Sequence, residues 1–199
     1  MAGVAGIKLK IKKNIFTIVS SAIKILPHYT YEDYCNWEGR WELIDGIPFA
    51  MNDAYPPKHQ LISASISSEL STAIKKSGSK DYKVYGHIDV KISEDLILQP
   101  DVLIVCKPIE KKFLDFPATL VVEILSPATA FKDRHVKFSL YEKMGVKYFL
   151  IIDIDRQTIE INTLTNQQYQ LTTYTGSEPY QFIMEDDCTI DVNLNNIRE

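Results

Sequence analysis

The run Val121-Val122-Glu123-Ile124-Leu125 sets one carboxylate inside an otherwise apolar stretch, and no other feature narrows the possible folds as far. Unbroken β-branched runs of this kind form strands covered on both faces. Asp101 to Cys106 and Lys147 to Asp153 read the same way. Between the second and third runs, Ser126-Pro127 predicts a helix start, with Ser as N-cap and Pro in the first turn. Val136, Leu140 and Met144 recur at helical spacing, and Gly145 stands where a helix would stop. Strand, helix and strand in this order make a βαβ unit, so helices lie on the faces of the sheet.

The rest of the chain extends that layout. Thr30 to Trp37 predicts a short helix capped by Thr30, with Asp33 at the reciprocal capping position. Glu42 to Met51 predicts two short strands joined at Asp45-Gly46, because both central residues of a type I′ turn need positive φ. Pro56-Pro57 introduces a helix to about Lys76, with Ile62, Ile66, Leu70, Ala73 and Ile74 along one face. Tyr82 to Ile92 alternates in part and reads as a strand, and Thr/Tyr/Ile-rich segments after Thr158 suggest antiparallel strands. The fold class is α/β in the mixed, α+β sense: a mixed central β-sheet flanked by helices. Residues 29–199 are expected to form one domain, preceded by an extension over residues 1–28. That extension carries Lys8, Lys10, Lys12 and Lys13 before a short apolar run interrupted by Lys24. A spanning helix needs about 20 apolar residues, so the segment is read as an extra edge strand or an arm, not an anchor.

Charge and cysteine usage limit the functional classes. With 26 acidic against 22 basic residues, the formal charge of −4 argues against a protein that coats nucleic acid. A bound divalent cation would still supply positive charge locally, so a nuclease is not excluded. Cys35, Cys106 and Cys188 are far apart and form no CxxC pair, which points to neither zinc nor a disulfide framework and suggests the reducing cytoplasm. No P-loop or dinucleotide-binding glycine pattern occurs, and His28, His87 and His135 share no metal-ligand spacing.

Two acidic residues sit where an ordinary core would not want them. Asp101 opens an apolar strand after Pro100, and Glu123 lies within another. A buried carboxylate costs several kcal/mol unless it is paired or holds a metal. On neighbouring strands the two could share a cleft, and Mg²⁺ or Mn²⁺ would suit such hard oxygen ligands. Asp133, Lys137 and Tyr141 follow at i, i+4 and i+8, one helical face from which Lys137 could reach Glu123. Plainer readings stand beside these. Asp101 could be a turn residue, Glu123 could form a structural ion pair with Lys137 or Arg134, and Asp133 could simply pair with Lys137. His59 could approach the site or merely pack, and Tyr141 reads as a core tyrosine.

Glu42-Leu43-Ile44-Asp45-Gly46, His59, Pro100-Asp101, Val122-Glu123-Ile124-Leu125-Ser126-Pro127, Asp133, Lys137, Tyr141 and Gly145-Val146-x-Tyr148 form an ordered set. In that set the chain resembles the Uma-type family of restriction-endonuclease-like proteins, within the PD-(D/E)XK nuclease superfamily. The resemblance implies a restriction-endonuclease-like sheet and a Mg²⁺-dependent endonuclease acting on DNA, with a homodimer as its assembly. It implies Asp101 and Glu123 as metal ligands, the backbone carbonyl of Ile124 as a further ligand, and Glu42 as an additional acidic residue on the rim. The superfamily's usual lysine position, two after Glu123, holds Leu125. Lys137 matches variants in which the lysine has moved to the next helix. The alternative is a catalytically weak or inactive nuclease-fold module that binds nucleic acid or protein, since a fold can outlive its chemistry.

Overall fold

The computed structural model describes residues 27–51, 55–127, 129–185 and 188–197. The edge strand or arm expected before residue 27 lies outside the described residues. In chain order the elements are helix α1 (Tyr31–Tyr34), strands β1 (Trp41–Ile44) and β2 (Ile47–Ala50), and helix α2 (Pro57–Ser77). Strands β3 (Lys83–Gly86), β4 (Val90–Ser93), β5 (Leu96–Leu98), β6 (Val102–Val105) and β7 (Leu120–Leu125) follow. A π-helical segment (Lys132–Lys137) then runs directly into helix α3 (Phe138–Met144). Strands β8 (Tyr148–Asp153), β9 (Thr158–Thr165), β10 (Gln168–Tyr174), β11 (Tyr180–Ile183) and β12 (Thr189–Val192) come next, and a 3₁₀ turn (Leu194–Ile197) closes the described chain.

Among the described residues, the central sheet has the order β10-β9-β8-β7-β6-β3. Only β7 and β8 pair in parallel, joined by the helical crossover, and every other pairing in this sheet is antiparallel. Side chains alternate across a strand, so each central strand feeds two cores. Val102, Ile104, Val122, Ile124, Leu150 and Ile152 face α2, whose buried residues include Ile62, Ile66 and Leu70. Leu103, Val105, Val121, Leu125, Phe149 and Ile151 face the opposite side, towards Tyr141 and the second sheet, β2-β1-β5-β4. Helices α2 and α3 both end on glycine, the second at the Gly145 that the sequence marks as a stop. Gly78 and Gly145 adopt left-handed φ values of 78° and 81°, and Gly145 and Val146 return N–H bonds to Glu142 and Tyr141.

Asp45 and Gly46 have φ of 51° and 71° and join β1 to β2, with Ile44 opposite Ile47. This is the mirror-image turn that the dipeptide favours. Gly46→Ala is expected to lower stability by about 1–2 kcal/mol, the cost of a left-handed backbone in a residue with a Cβ. The added carbon would also fall 2.3 Å from the His28 ring, which must swing aside. A denaturant midpoint identical to wild type would count against this turn geometry.

Two expectations are corrected. Tyr82 to Ile92 is not one strand: His87 turns left-handed at φ 52°, so β3 pairs with β6 in the central sheet while β4 pairs with β5 in the other. The helix expected from Ser126 starts later. Ser126 and Thr129 hydroxyls lie 3.0 Å apart in a local turn that includes Pro127, and helical backbone begins at residue 130. Six residues of it are then π-helical instead of α-helical.

Candidate active site

Asp101 and Glu123 come together through strand register. β6 and β7 run antiparallel with Val102 opposite Val122, so one step further sets Asp101 opposite Glu123 on the same face. The Ile124 amide donates to Asp101 Oδ2 at 2.8 Å, tying the end of β6 to β7. Both carboxylates lie at the floor of a cleft of about 400 Å³ that Lys137 also lines. Its walls are β2 on one side and the turn and helix after Ser126 on the other.

Lys137 is the hub of the floor. Its Nζ lies 2.8 Å from Glu123 Oε1, 2.7 Å from Glu42 Oε1 and 3.4 Å from Asp133 Oδ1. Exposure is 0% for Glu42, 3% for Glu123, 2% for Asp133 and 1% for Lys137, so these are not solvated surface pairs. The Tyr141 hydroxyl donates to the same Glu123 Oε1 at 2.8 Å, and the main-chain N–H of Gln99 donates to Glu42 Oε1 at 3.0 Å. Lys132 closes the set with a salt bridge to Glu42 Oε2. Glu42 is thus not on the rim, where the resemblance set it, but wholly buried between two ammonium groups. β1 carries it inward because it lies on the face covered by the central sheet.

The π-helical segment explains how both lysines reach Glu42. Five residues apart on an α-helix, Lys132 and Lys137 would diverge by about 140°. A π-helix bonds i to i+5 and brings such residues onto one side. No spacing rule for an α-helix would have found Lys132.

Burial and charge set the protonation tendencies. Burial pushes the Glu123 carboxyl well above its ordinary range; Lys137 opposes this, while Asp133, Asp101 and Glu42 add to it. Burial would also raise Glu42, but Lys137 and Lys132 hold it below the usual value. Asp133 is raised, chiefly by burial. Burial would lower Lys137, yet Glu123 and Glu42 carry it well above the normal ammonium value. For Asp101, burial is outweighed by the hydrogen bond from His59 and the Ile124 amide, and its carboxyl is lowered.

A second group braces Asp101. His59 Nε2 approaches Asp101 Oδ2 at 3.4 Å, and the imidazole stacks on Tyr55 with ring centres 4.0 Å apart and planes 2° from parallel. His59, whose role the sequence left open, is therefore a buried neighbour of the site. Tyr55, Lys132 and the cleft-lining Thr129 gave no sequence signal.

A hard cation fits the donors present. Asp101 and Glu123 offer carboxylate oxygens beside the Ile124 main chain, and the Lys137 and Tyr141 donors to Glu123 both fall on Oε1. Four carboxyls stand against two lysines, and burial drives Glu123 and Asp133 towards their neutral forms; a divalent ion beside Asp101 and Glu123 would favour the ionised form instead. Among the described residues no three His, Cys, Asp or Glu side chains form a ready metal cage. Mg²⁺ does not require one, since it commonly takes one or two carboxylates and keeps several waters.

The sheet order and the flanking helices define the restriction-endonuclease-like fold. A crystal structure described as a putative nuclease belonging to DUF820, from Anabaena variabilis, superposes with a TM-score of 0.67 over 85% of this chain and 97% of that one, at 14% identity. The family model described as "Uma2: Putative restriction endonuclease" matches residues 29–193, and the chain belongs to that family. An uncharacterized protein of Synechocystis sp. is 33% identical over 125 residues. That match takes in 58% of this chain and spans 63% of the relative's length.

Proposed function

We propose that this protein is a metal-dependent endonuclease that hydrolyses phosphodiester bonds in DNA, with Asp101, Glu123 and the Ile124 carbonyl holding Mg²⁺ or Mn²⁺. The observation that carries the reading is the convergence of Asp101, Glu123 and Lys137 at one cleft floor, with the Lys137 ammonium 2.8 Å from Glu123. The family's description and that of the DUF820 structure both point to nuclease chemistry. A bound divalent ion supplies Lewis-acid polarisation of the phosphate. The chain's own groups do the rest. Lys137 offsets negative charge that grows on the phosphate oxygens as water attacks phosphorus and the opposite P–O bond breaks. Glu42 and Asp133 hold the Lys137 ammonium beside Glu123, while His59 and the Ile124 amide fix the Asp101 carboxylate. The attacking water gives up its proton to solvent water in the cleft, and the leaving oxygen takes one back from solvent water, so the hydrolysis balances.

The three free cysteines fit a reducing setting, and we propose the cytoplasm as the place of action. No helix among the described residues is long and apolar enough to cross a membrane. A homodimer is proposed as the assembly, because a two-fold pair would present two such clefts to the two strands of DNA.

Cleavage of an oligonucleotide panel is expected in Mg²⁺ or Mn²⁺ and not in Ca²⁺ or chelator, since Ca²⁺ accepts looser, higher-coordinate geometry. Equal cleavage in chelator would rule out the metal-dependent reading. A second reading, a binding module without catalysis, draws on the neutralisation of Lys137 by three carboxylates and on the acidic net charge. DNA binding with no cleavage in either metal would favour it.

A further inference from the structure

We propose that the cleft receives DNA as an unpaired strand, with a base stacked on Phe131 at its mouth. This rests on the nuclease reading and narrows it to a substrate class. The first observation is depth. Asp101 and Glu123 are 4% and 3% exposed, at the floor of a space of about 400 Å³ between β2 and the helix after Ser126. A phosphodiester still joined to a paired, stacked base drags a second strand against those walls. A single strand can splay its bases and lower one phosphate between them.

The second observation is Phe131. It is 74% exposed, on the wall of the cleft, and nothing in the core explains a phenyl ring in water there. Phe131 also lines a neighbouring groove of about 370 Å³ with Arg134, His135 and Arg156, so it forms a ridge between two depressions. The His135 ring lies 4.7 Å from it, tilted by 51°, and most of the Phe131 side chain stays exposed. Phe49, 38% exposed, stands on the opposite wall with the Lys132 ammonium 5.5 Å from its ring centre.

The third observation is charge. Duplex binding without sequence contacts relies on many lysines and arginines along the phosphates. This chain carries −4 overall, and the groove beyond Phe131 sets Asp153 and Asp155 beside its two arginines. Arg156 nonetheless has a side chain 76% exposed, 3.8 Å from Asp153 and able to swing to a phosphate. Stacking on aromatic side chains adds to whatever phosphate contacts the groove supplies, and it tolerates any base. A strand crossing the Phe131 ridge would set one phosphate towards the carboxylates and the next towards Arg156.

The test uses the full chain without metal, so that binding is read apart from cleavage. The probes are a 12-nucleotide single strand carrying one 2-aminopurine and the same sequence as a duplex. Wild type is expected to bind the single strand at least tenfold more tightly and to quench its fluorescence. Phe131→Ala should weaken that binding about tenfold, within the range for loss of one stacked base. Phe131→Trp should restore binding and quenching, whereas Phe131→Leu keeps apolar bulk and should restore neither. Equal or tighter binding of duplex, or an unchanged affinity in Phe131→Ala, would overturn the proposal. So would a change of oligomeric state in Phe131→Ala, which would mark the ring as a self-association contact. Stacking without cleavage in Mg²⁺ would sink the nuclease reading and leave this one standing. Duplex cleavage indifferent to Phe131 would do the reverse.

Discussion

Lys137→Ala is expected to lower folding stability by about 3–5 kcal/mol, the scale seen when one partner of a buried ion pair is removed. Exposed pairs are worth about 0–1 kcal/mol, but this ammonium is 1% exposed and faces Glu123, Glu42 and Asp133 together. Removing it leaves three buried carboxyls, of which Lys132 salt-bridges Glu42. A role confined to the transition state would make the loss on this substitution purely catalytic. The observed burial changes that expectation: activity and stability should fall together. Urea melts give the stability, and cleavage per folded molecule, measured well below the melting range, gives the catalytic part. Adding Glu42→Gln to Lys137→Met should recover some stability without recovering cleavage. A Lys137→Ala melt within about 1 kcal/mol of wild type would contradict the buried hub.

The central architecture was legible because its signals are local and strong. The apolar runs at 102–105, 120–125 and 148–153 form adjacent strands, and Asp45-Gly46 makes its hairpin turn. Glu123 stood out because an acid within an apolar run has few cheap explanations. What escaped notice depended on distant partners or on departures from regular geometry. β5 has only three residues, Leu96–Leu98, too few for periodicity to register. Tyr82 to Ile92 looked continuous because nothing in the sequence marks His87 as left-handed. Lys132 was invisible for a different reason: its link to Glu42 requires the π-helical segment and joins residues 90 apart in sequence. Tyr141 read as a core tyrosine, and it is buried, but its hydroxyl donates to Glu123 and so helps set the geometry of the floor. Glu42 was singled out through resemblance, and only the fold reveals how completely it is enclosed.

Glu123→Gln is expected to abolish most cleavage while leaving stability nearly unchanged, the opposite pairing of effects to Lys137→Ala. Glutamine keeps the shape of the side chain, and its amide oxygen can accept the bonds that Oε1 receives from Lys137 and Tyr141 at 2.8 Å each. The penalty for a buried charge, which already pushes this carboxyl upward, disappears. Lys137 retains Glu42 and Asp133, so no cation is stranded. Stability should therefore stay within about 1 kcal/mol of wild type, or rise. Cleavage should fall about a hundredfold or more, because a neutral amide is a weak ligand for a hard cation and the transition-state charge loses its setting. Mn²⁺ titration of the folded variant separates the two causes, since weaker binding marks Glu123 as a ligand and unchanged binding removes it from that role. Cleavage that survives at the wild-type rate would identify a contaminating nuclease. A melt lower by several kcal/mol would mean that the negative charge of Glu123, and not its shape, holds Lys137 in the floor.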